Sequence, residues 1–262
     1  MIELEAVSKS YASGAPPAVE KLSLAIDAGS LHVLLGESGS GKTTVLKMIN
    51  RLVERSSGRI RLDGEDIDAI EPIALRRRIG YAFQGIGLFP HMTVAENIAI
   101  VPELLGWEPG AVAARTDELL ELVGLAPATF RPRYPRELSG GQQQRVGVAR
   151  ALAGRARVLL MDEPFGALDP ITRDELQTEL RRLQRTLGLT VLLVTHDVNE
   201  ALLLADRIAV MKDGRLLGHD TPARLLNDPP HDYVQALMAM PRRQTARLAE
   251  LASAGTADGF RE

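Results

Sequence analysis

The sequence of 262 residues contains no cysteine, which excludes disulfide bonds, thiolate metal sites and a cysteine nucleophile. The chain also lacks a large net charge, because 31 Lys and Arg residues nearly balance 34 Asp and Glu residues and the net charge is −3. Binding to nucleic acid would call for a basic field, so we expect no nucleic-acid partner. Aromatic residues make up only 4% of the chain, although one aromatic ring is sufficient to stack on a base.

Long hydrophobic runs are absent as well. The longest apolar runs fall far short of the roughly 18 residues that a membrane-spanning helix needs. The N-terminus alternates apolar with charged residues and lacks the basic start and apolar centre of a secretory signal. These absences predict a chain that does not cross a bilayer by itself, is soluble when isolated, and resides in the cytoplasm.

The patterns that are present indicate a mixed α/β protein. Apolar residues recur with a period of two at Ile2, Leu4 and Ala6, and again over residues 22–26, which predicts half-buried antiparallel strands. Continuous apolar runs predict strands buried on both faces of a parallel sheet. Such runs cover residues 31–36, where a glycine closes the run, 158–161 and 190–195. Function in sheets of this kind gathers at the C-terminal ends of the strands.

Helical spacing replaces the strand signals from about residue 88 to residue 154, so we predict an α-helical subdomain inserted into the sheet region. Another helix is expected from Thr43 to Leu52, after the glycine-rich turn that follows the first buried strand. Residues 241–262 are small and charged and offer little to pack. They are therefore predicted to form a flexible tail behind a single domain of residues 1–240.

The first buried strand leads into a glycine-rich turn followed by the predicted helix. The turn fits the pattern G-x-x-x-x-G-K-[ST] and reads Gly36-Glu37-Ser38-Gly39-Ser40-Gly41-Lys42-Thr43. Phosphate binding requires inward-pointing backbone N–H groups, which the positive φ of glycine permits, and the helix N-terminus adds its dipole. Lys42 would supply a mobile positive charge, and Thr43 could ligate Mg²⁺. Because strand and helix flank the pattern, we interpret it as a phosphate-binding loop and not as an ordinary glycine turn.

A second buried strand ends in two carboxylates, Asp162 and Glu163. They follow the apolar run at the edge of the sheet where a phosphate-bound Mg²⁺ would sit. Asp162 is suited to the metal's outer shell, and Glu163 to orienting the water that attacks the γ-phosphate. A strand that ends in Asp-Glu is by itself more often a cap or a turn. The phosphate-binding loop in the same chain favours the catalytic interpretation.

A second helix N-terminus carries small residues that could bind an anion. Ser139, Gly140, Gly141 and Gln142 precede a segment with helical apolar spacing. Backbone N–H groups, the helix dipole and the Ser139 hydroxyl would all point one way. A plain serine N-cap explains this segment equally well when it is taken alone.

These segments occur in the order that marks ABC-type ATPases, and over roughly residues 1–235 the chain resembles an ABC transporter ATP-binding subunit. The motifs are the phosphate-binding loop, LSGGQ, the strand LLMDEP, Ala167-Leu168-Asp169 and Thr195-His196-Asp197. The resemblance implies the α/β fold of a P-loop NTPase, with a RecA-like core sheet, an N-terminal antiparallel β subdomain and an α-helical subdomain insert. It also implies ATP and Mg²⁺ as ligands.

By this resemblance, Tyr11 would stack on adenine, Gln84 would contact Mg²⁺ and the attacking water, and His196 would hold the γ-phosphate beside Glu163. Asp169 would communicate across a dimer interface. The residues implied for nucleotide binding are Tyr11, Gly36, Glu37, Ser38, Gly39, Ser40, Gly41, Lys42, Thr43, Thr44, Ser139, Gly140, Gly141, Gln142 and Asp169. Thr43, Gln84 and Asp162 are implied at the metal, and Glu163, His196 and Gln84 in catalysis. Each has a plain structural alternative, such as a loop aromatic for Tyr11, a turn amide for Gln84 and a polar strand end for His196.

The resemblance also implies partners. One chain has one phosphate-binding loop and one LSGGQ segment, and in the family the two meet across subunits, so we expect a dimer of two copies with two ATP molecules at its interface. Integral-membrane permease subunits would hold the dimer at the cytoplasmic face of the membrane, and an extracytoplasmic solute-binding protein would deliver the solute. A groove for a permease helix would be formed in part by Ile86, Leu88, Phe89, Met92 and Val94. Each of these residues could equally pack within the helical insert.

The segments Arg76 to Gln84 and ENIAIVPELLGW are similar to the ATPases of osmoprotectant importers, which serve glycine betaine, choline, carnitine or proline betaine. LFPHMTV alone is shared with ATPases for other solutes, so an importer of a polyamine, a sugar or an amino acid stays open. Soluble ABC ATPases that act on DNA ends or ribosomes form another class, disfavoured because the chain shows no sustained heptads and no second cassette. Osmoprotectant ATPases often continue into paired cystathionine-β-synthase-type (CBS) modules. Only about twenty residues follow Met240, so no such modules are expected.

Overall fold

The structure is a computed structural model of the chain, and it describes residues 1–12, 14–82, 85, 87–166 and 168–257, with the side chains of 250–257 left out. Gln84, predicted in catalysis and at the metal, lies outside the described residues, as do Ile86 of the predicted groove and Ala167.

The described residues form ten strands, ten α-helices and two short 3-10 helices, Ile67–Ala69 and Pro135–Glu137. The strands are β1 (Ile2–Lys9), β2 (Val19–Ile26), β3 (Leu31–Leu35), β4 (Ser57–Leu62), β5 (Glu65–Asp66), β6 (Ile79–Ala82), β7 (Val158–Asp162), β8 (Thr190–Thr195), β9 (Arg207–Lys212) and β10 (Arg215–Asp220). The helices are α1 (Lys42–Ile49), α2 (Pro72–Arg78), α3 (Val94–Leu104), α4 (Pro109–Leu122), α5 (Pro127–Phe130), α6 (Gly140–Leu152), α7 (Pro170–Leu187), α8 (Val198–Leu204), α9 (Pro222–Asn227) and α10 (Asp232–Ala257).

The strands form two sheets. The larger sheet has the order β10-β9-β3-β8-β7-β6, in which every neighbouring pair is parallel except β9 and β10. The smaller sheet is antiparallel, with the order β2-β1-β4-β5. The predicted parallel core sheet and N-terminal antiparallel subdomain are confirmed. In the larger sheet Leu35 lies opposite Thr195 and Asp162 opposite Val194, so β3, β7 and β8 end side by side.

The central strands divide their side chains between two cores. In β3, Leu31, Val33 and Leu35 belong to the core shared with the helical region, whereas Leu34 belongs to the core shared with the antiparallel sheet. All residues of β3, β7 and β8 are buried. The continuous apolar runs therefore arise because both faces of these strands are covered. Helix α1 packs into the second core, which fixes its N-terminus at the end of β3.

Strand β1 departs from the predicted alternation. Val7 is buried and Ala6 is exposed, so the prediction that Ala6 continues the inward series is wrong. Ala6 has a φ of 47°, and the pairing with β2 shifts register between Leu4 and Val7. Side chains normally alternate between the two faces of a strand, so a one-residue shift in the pairing turns the following residues to the opposite face. This shift turns Val7 into the core in place of Ala6.

The helices also differ from the sequence-based expectations at their ends. Helix α1 ends at Ile49, three residues before the predicted Leu52, with Asn50 as its C-cap. Residues 94–152, all described, contain α3 to α6 and no strand. Helix α10 continues through Ala257, with Pro241 inside it, although a flexible tail is predicted from residue 241. Its first turns pack on the core through Val234 and Met238, and the Ala, Arg, Glu and Leu residues that follow propagate a nucleated helix readily.

No helix in the part of the chain that the structure describes combines the length and apolarity needed to pass through a membrane.

Candidate nucleotide site

The phosphate-binding loop joins β3 to α1 and packs closely against backbone on two sides. A Cβ atom at Gly36 would lie 2.2 Å from the Met211 carbonyl oxygen, and one at Gly41 would lie 2.2 Å from the Ala18 carbonyl oxygen. Gly41 also has a φ of 100° as the N-cap of α1. Glycine is therefore required at both ends of the loop, since any side chain would push the loop away from β9 or from the start of β2.

Lys42 is buried within the loop. Its Nζ donates to the carbonyl oxygens of Gly36 and Glu37, both at 2.7 Å, and to Ser40 Oγ at 3.3 Å. Burial lowers the pKa of the Lys42 ammonium, while the carboxylates of Glu163 and Asp162 oppose that shift. The carbonyl oxygens of the loop thus hold the Lys42 ammonium group in place. An anion that enters the site can replace these oxygens as hydrogen-bond acceptors of Lys42.

Thr43 and Asp162 meet at the junction of α1 and β7. The Thr43 hydroxyl donates to Asp162 Oδ1 at 2.9 Å. Burial raises the pKa of Asp162, and the hydrogen bond from Thr43 opposes that shift. A hydroxyl and a carboxylate are hard oxygen donors of the kind Mg²⁺ prefers, and a nearby cation would stabilise the buried carboxylate. The residues present therefore fit the predicted metal.

Glu163 and His196 lie next to each other at the ends of β7 and β8. His196 Nδ1 is 3.3 Å from Glu163 Oε1, and the two side chains are 60% and 22% exposed. Glu163 has a φ of 47°, and its N–H donates to the Val194 carbonyl oxygen at 3.0 Å. A non-glycine residue in this region carries strain, which persists where the surroundings fix it and often marks a functional site. The strand ends thus present a carboxylate and an imidazole to solvent together.

A buried carboxylate lies behind His196. Thr195 Oγ1 donates to Glu200 Oε2 at 2.7 Å and accepts from the Asp197 N–H at 3.0 Å. Glu200 Oε1 is buried and has no hydrogen-bond partner in the described structure. Burial raises the pKa of Glu200 to about 7, against the hydrogen bond from Thr195. The sequence analysis missed Glu200; its spacing from His196 in the first turn of α8 was the only available signal.

Tyr11 contacts the first turn of the helix that follows the loop. Its side chain is 63% exposed, and its hydroxyl is 3.3 Å from Thr44 Oγ1. Lys9 Nζ lies 5.0 Å from the ring centroid. An exposed ring tied to the helix that follows the loop is available for stacking, so adenine binding by Tyr11 stays a prediction.

A cavity of about 670 Å³ lies beside the loop. One wall is polar and comes from the loop and the strand ends, including Glu37, Ser38, Glu163 and His196. Helix α10 contributes further lining residues, namely Leu237, Met240, Pro241 and Gln244. The contribution of Pro241 and Gln244 differs from the sequence-based expectation, in which residues 241–262 form a tail.

The LSGGQ segment does not reach this cavity within one copy of the chain. Ser139 is the N-cap of α6, where its Oγ accepts from the Gln142 N–H at 3.3 Å and Gln142 Oε1 accepts from the Ser139 N–H at 3.0 Å. None of residues 139–142 lines the cavity. Gly141 packs instead against α7, since a Cβ atom there would lie 2.3 Å from Thr172 Cγ2. Asp169 caps α7 by accepting from the Thr172 N–H at 3.0 Å.

The described residues of the predicted permease groove separate into two groups. Val94 is fully buried in the helical core, so for this residue the alternative of internal packing applies. Phe89 is 44% exposed and lines a cavity of about 300 Å³ with Ile100 and Val101. The Arg150 guanidinium lies 5.9 Å from the centroid of the Phe89 ring. Phe89 therefore remains available to a partner.

Comparison with known proteins assigns the family. The family model described as "ABC transporter" matches residues 19–166, which contain the phosphate-binding loop, the LSGGQ segment and the Asp162–Glu163 strand end. The chain belongs to the ABC transporter family.

Two curated relatives in this family are ATP-binding proteins of uptake systems. The chain is 55% identical over 235 residues to the glycine betaine uptake system ATP-binding protein YehX of Escherichia coli, covering 90% of this chain and 75% of YehX. It is 52% identical over 242 residues to the glycine betaine/carnitine/choline transport ATP-binding protein OpuCA of Bacillus subtilis, covering 92% of this chain and 63% of OpuCA. The chain spans about 60% of the length of OpuCA-type relatives.

A solved ABC structure shares the fold. It is a dimeric ATP-binding cassette in a post-hydrolysis state, bound to ADP and phosphate. The TM-score is 0.75 at 34% sequence identity, covering 85% of this chain and 99% of that chain. This likeness confirms the predicted P-loop NTPase fold.

Proposed function

We propose that the chain binds ATP with Mg²⁺ and hydrolyses the ATP as the ATP-binding subunit of an importer for a quaternary amine or betaine osmoprotectant. The observation that best supports ATPase activity is that β3, β7 and β8 end side by side. They bring the loop with Lys42, the Thr43–Asp162 pair at 2.9 Å and the Glu163–His196 pair at 3.3 Å to one place. The relatives YehX and OpuCA, with their named solutes, support the transport role.

The residues divide the chemistry among themselves. Lys42 and the inward N–H groups of the loop bind the phosphates, and Thr43 and Asp162 would hold Mg²⁺. When bound, Mg²⁺ neutralises charge on the phosphate oxygens. Glu163 orients the attacking water and accepts its proton, while His196 fixes Glu163 and contacts the γ-phosphate. Gln84 is proposed as a further contact to the metal and the water.

A second copy of the chain completes the site in this proposal. Within one copy, Ser139 and its neighbours do not line the cavity beside the phosphate-binding loop. The related solved cassette is a dimer with ADP and phosphate bound. We therefore infer that the LSGGQ segment of one copy closes over the nucleotide of the other, with Asp169 at the interface. The helix N-termini of α1 and α6 would then face one anion from two sides.

Permease subunits are the second class of partner in this proposal. The exposed Phe89 and the cavity beside it would receive an apolar permease segment, and this contact would hold the chain at the cytoplasmic face of the membrane. An extracytoplasmic solute-binding protein would deliver the osmoprotectant. An importer for another solute, such as a polyamine, sugar or amino acid, is the alternative that the test below separates.

The test uses the chain assembled with its permease in membranes. ATPase activity is measured with a panel of solutes and the solute-binding protein, including glycine betaine, choline, carnitine, a polyamine and a sugar. We expect stimulation by a quaternary amine, loss of activity in Lys42→Ala, and no change in Lys21→Ala, which removes an exposed lysine of β2. Stimulation only by a polyamine or a sugar would contradict the osmoprotectant assignment. Unchanged activity in Lys42→Ala would contradict the ATPase site.

A further inference from the structure

Helix α10 begins on the core and approaches the phosphate-binding loop. Val234 and Met238 are buried in the core that α10 shares with the parallel sheet. Tyr233, between Asp232 and Val234, faces the loop side. Because its neighbour Val234 is buried in the core, the backbone that carries Tyr233 is held in place.

The Tyr233 side chain links α10 to the loop. Its hydroxyl donates to Glu37 Oε1 at 3.0 Å, across 196 positions of sequence. Lys212 Nζ, at the end of β9, lies 4.5 Å from the centroid of the Tyr233 ring. Burial, together with the hydrogen bond to Glu37, raises the pKa of Tyr233 to about 12, so the phenol keeps its proton and remains a donor at neutral pH. The Tyr233 ring, which α10 carries, is thus also contacted by Lys212 at the end of β9.

Glu37 is also one of the three residues that hydrogen-bond the Lys42 ammonium, together with Gly36 and Ser40. Its carbonyl oxygen accepts from Lys42 Nζ at 2.7 Å and from the Ser40 N–H at 3.2 Å. The side chain of Glu37 is therefore hydrogen-bonded to Tyr233 of α10, and its backbone carbonyl oxygen is hydrogen-bonded to Lys42.

We propose that Tyr233 is a positioning residue for the nucleotide site: by holding Glu37 it keeps the phosphate-binding loop, and Lys42 within it, in the conformation that receives ATP. This inference rests on the proposed ATP-binding function. Tyr233 acts through Glu37 and touches no reacting atom, so it affects nucleotide affinity and not the chemical step. Loss of the hydrogen bond leaves the loop with more conformations in the free state, which weakens binding because fewer molecules are preorganised.

The experiment is a double-mutant cycle on the full chain. ATP affinity is measured for the wild type, Tyr233→Phe, Glu37→Ala and the double variant. We expect each single variant to bind ATP about three- to tenfold more weakly, the range that one hydrogen bond supplies. The double variant should bind no more weakly than the weaker single variant, because both substitutions remove the same interaction. Gln235→Ala, an exposed substitution on the same helix, should bind as the wild type does.

A second readout separates positioning from a general structural role. In Tyr233→Phe the KM for ATP should rise by the same factor while kcat stays at the wild-type value. An unchanged KM, a fall in kcat alone, or single-variant effects that multiply in the double variant would each overturn the inference.

The proposed function has its own control in this experiment. If the wild type bound no ATP, or Lys42→Ala bound it as tightly as the wild type, the nucleotide function would fail and this inference with it. If both behaved as expected and Tyr233→Phe bound ATP like the wild type, only the role of Tyr233 would be refuted.

Discussion

Replacing Glu200 with glutamine should change how the stability of the protein depends on pH. Glu200 is only 6% exposed, and burial raises its pKa from 4.5 to about 7. Asp197 adds to this shift, whereas Thr195, Arg173 and His196 oppose it. The unfolded chain releases the proton near pH 4.5 while the folded chain keeps it up to about pH 7, so the folded state binds more protons in between. The free energy of unfolding therefore decreases as the pH rises through this window.

The magnitude follows from the size of the shift. At about 1.4 kcal/mol per pKa unit, the wild type should lose about 3 kcal/mol of stability between about pH 5 and about pH 8 through this group. Glutamine keeps an oxygen that accepts from Thr195 but carries no charge at any of these pH values. The stability of Glu200→Gln relative to the wild type should therefore increase with pH by that amount.

Urea unfolding of both proteins across this pH range measures the difference directly. Glu103→Gln, which removes a carboxylate from an exposed position of α3, is the matched control and should follow the wild type. If the unfolding free energies of Glu200→Gln and the wild type stayed parallel from acid to neutral pH, the proton on Glu200 and the reasoning from burial would both be wrong.

Three further predictions follow from other parts of the site and core. Glu163→Gln should hydrolyse ATP far more slowly and accumulate as an ATP-bound dimer, detected by size-exclusion chromatography with ATP; hydrolysis at the wild-type rate would contradict the role of Glu163. Burial lowers the pKa of His32 from 6.5 to about 4, so the folded state binds fewer protons than the unfolded chain in this window and stability should fall as the pH drops through it, by up to about 3 kcal/mol. His32→Leu should remove this loss when the free energy of unfolding is measured at acid pH. If the stability of His32→Leu fell as steeply with decreasing pH as that of the wild type, the prediction would be wrong. Gly36→Ala would place a Cβ atom 2.2 Å from a backbone carbonyl oxygen and should lower thermal stability by about 1–3 kcal/mol and weaken ATP binding; an unchanged melting temperature would show that the loop does not pack as described.

Much of the site could be predicted from the sequence because its signals are local. The loop from Gly36 to Thr43 lies between a buried strand and a helix, and backbone geometry there depends on glycine at fixed positions. Asp162 and Glu163 follow an apolar run whose length and composition mark a strand buried on both faces. These features need no knowledge of what lies across the fold, and the structure brings them together at adjacent strand ends.

The parts that could not be predicted depend on contacts between distant segments. Val7 replaces Ala6 in the core because a shift in the pairing of β1 with β2 changes the inward series, and that shift has no signal within β1. Residues 241–257 look like a tail in isolation. They are helical because the first turns of α10 pack on a core assembled from the rest of the chain.

The sequence by itself determined the local pattern on which the proposed nucleotide chemistry rests, since a glycine-rich loop and strand-end carboxylates are specified by residue types at short spacing. Only the tertiary structure decided which residues surround that chemistry. Glu200 became buried behind His196, and Tyr233 reached Glu37 across 196 positions. The physical reason is that hydrogen bonds and burial between remote segments depend on strand order and helix packing, which no short stretch of sequence contains.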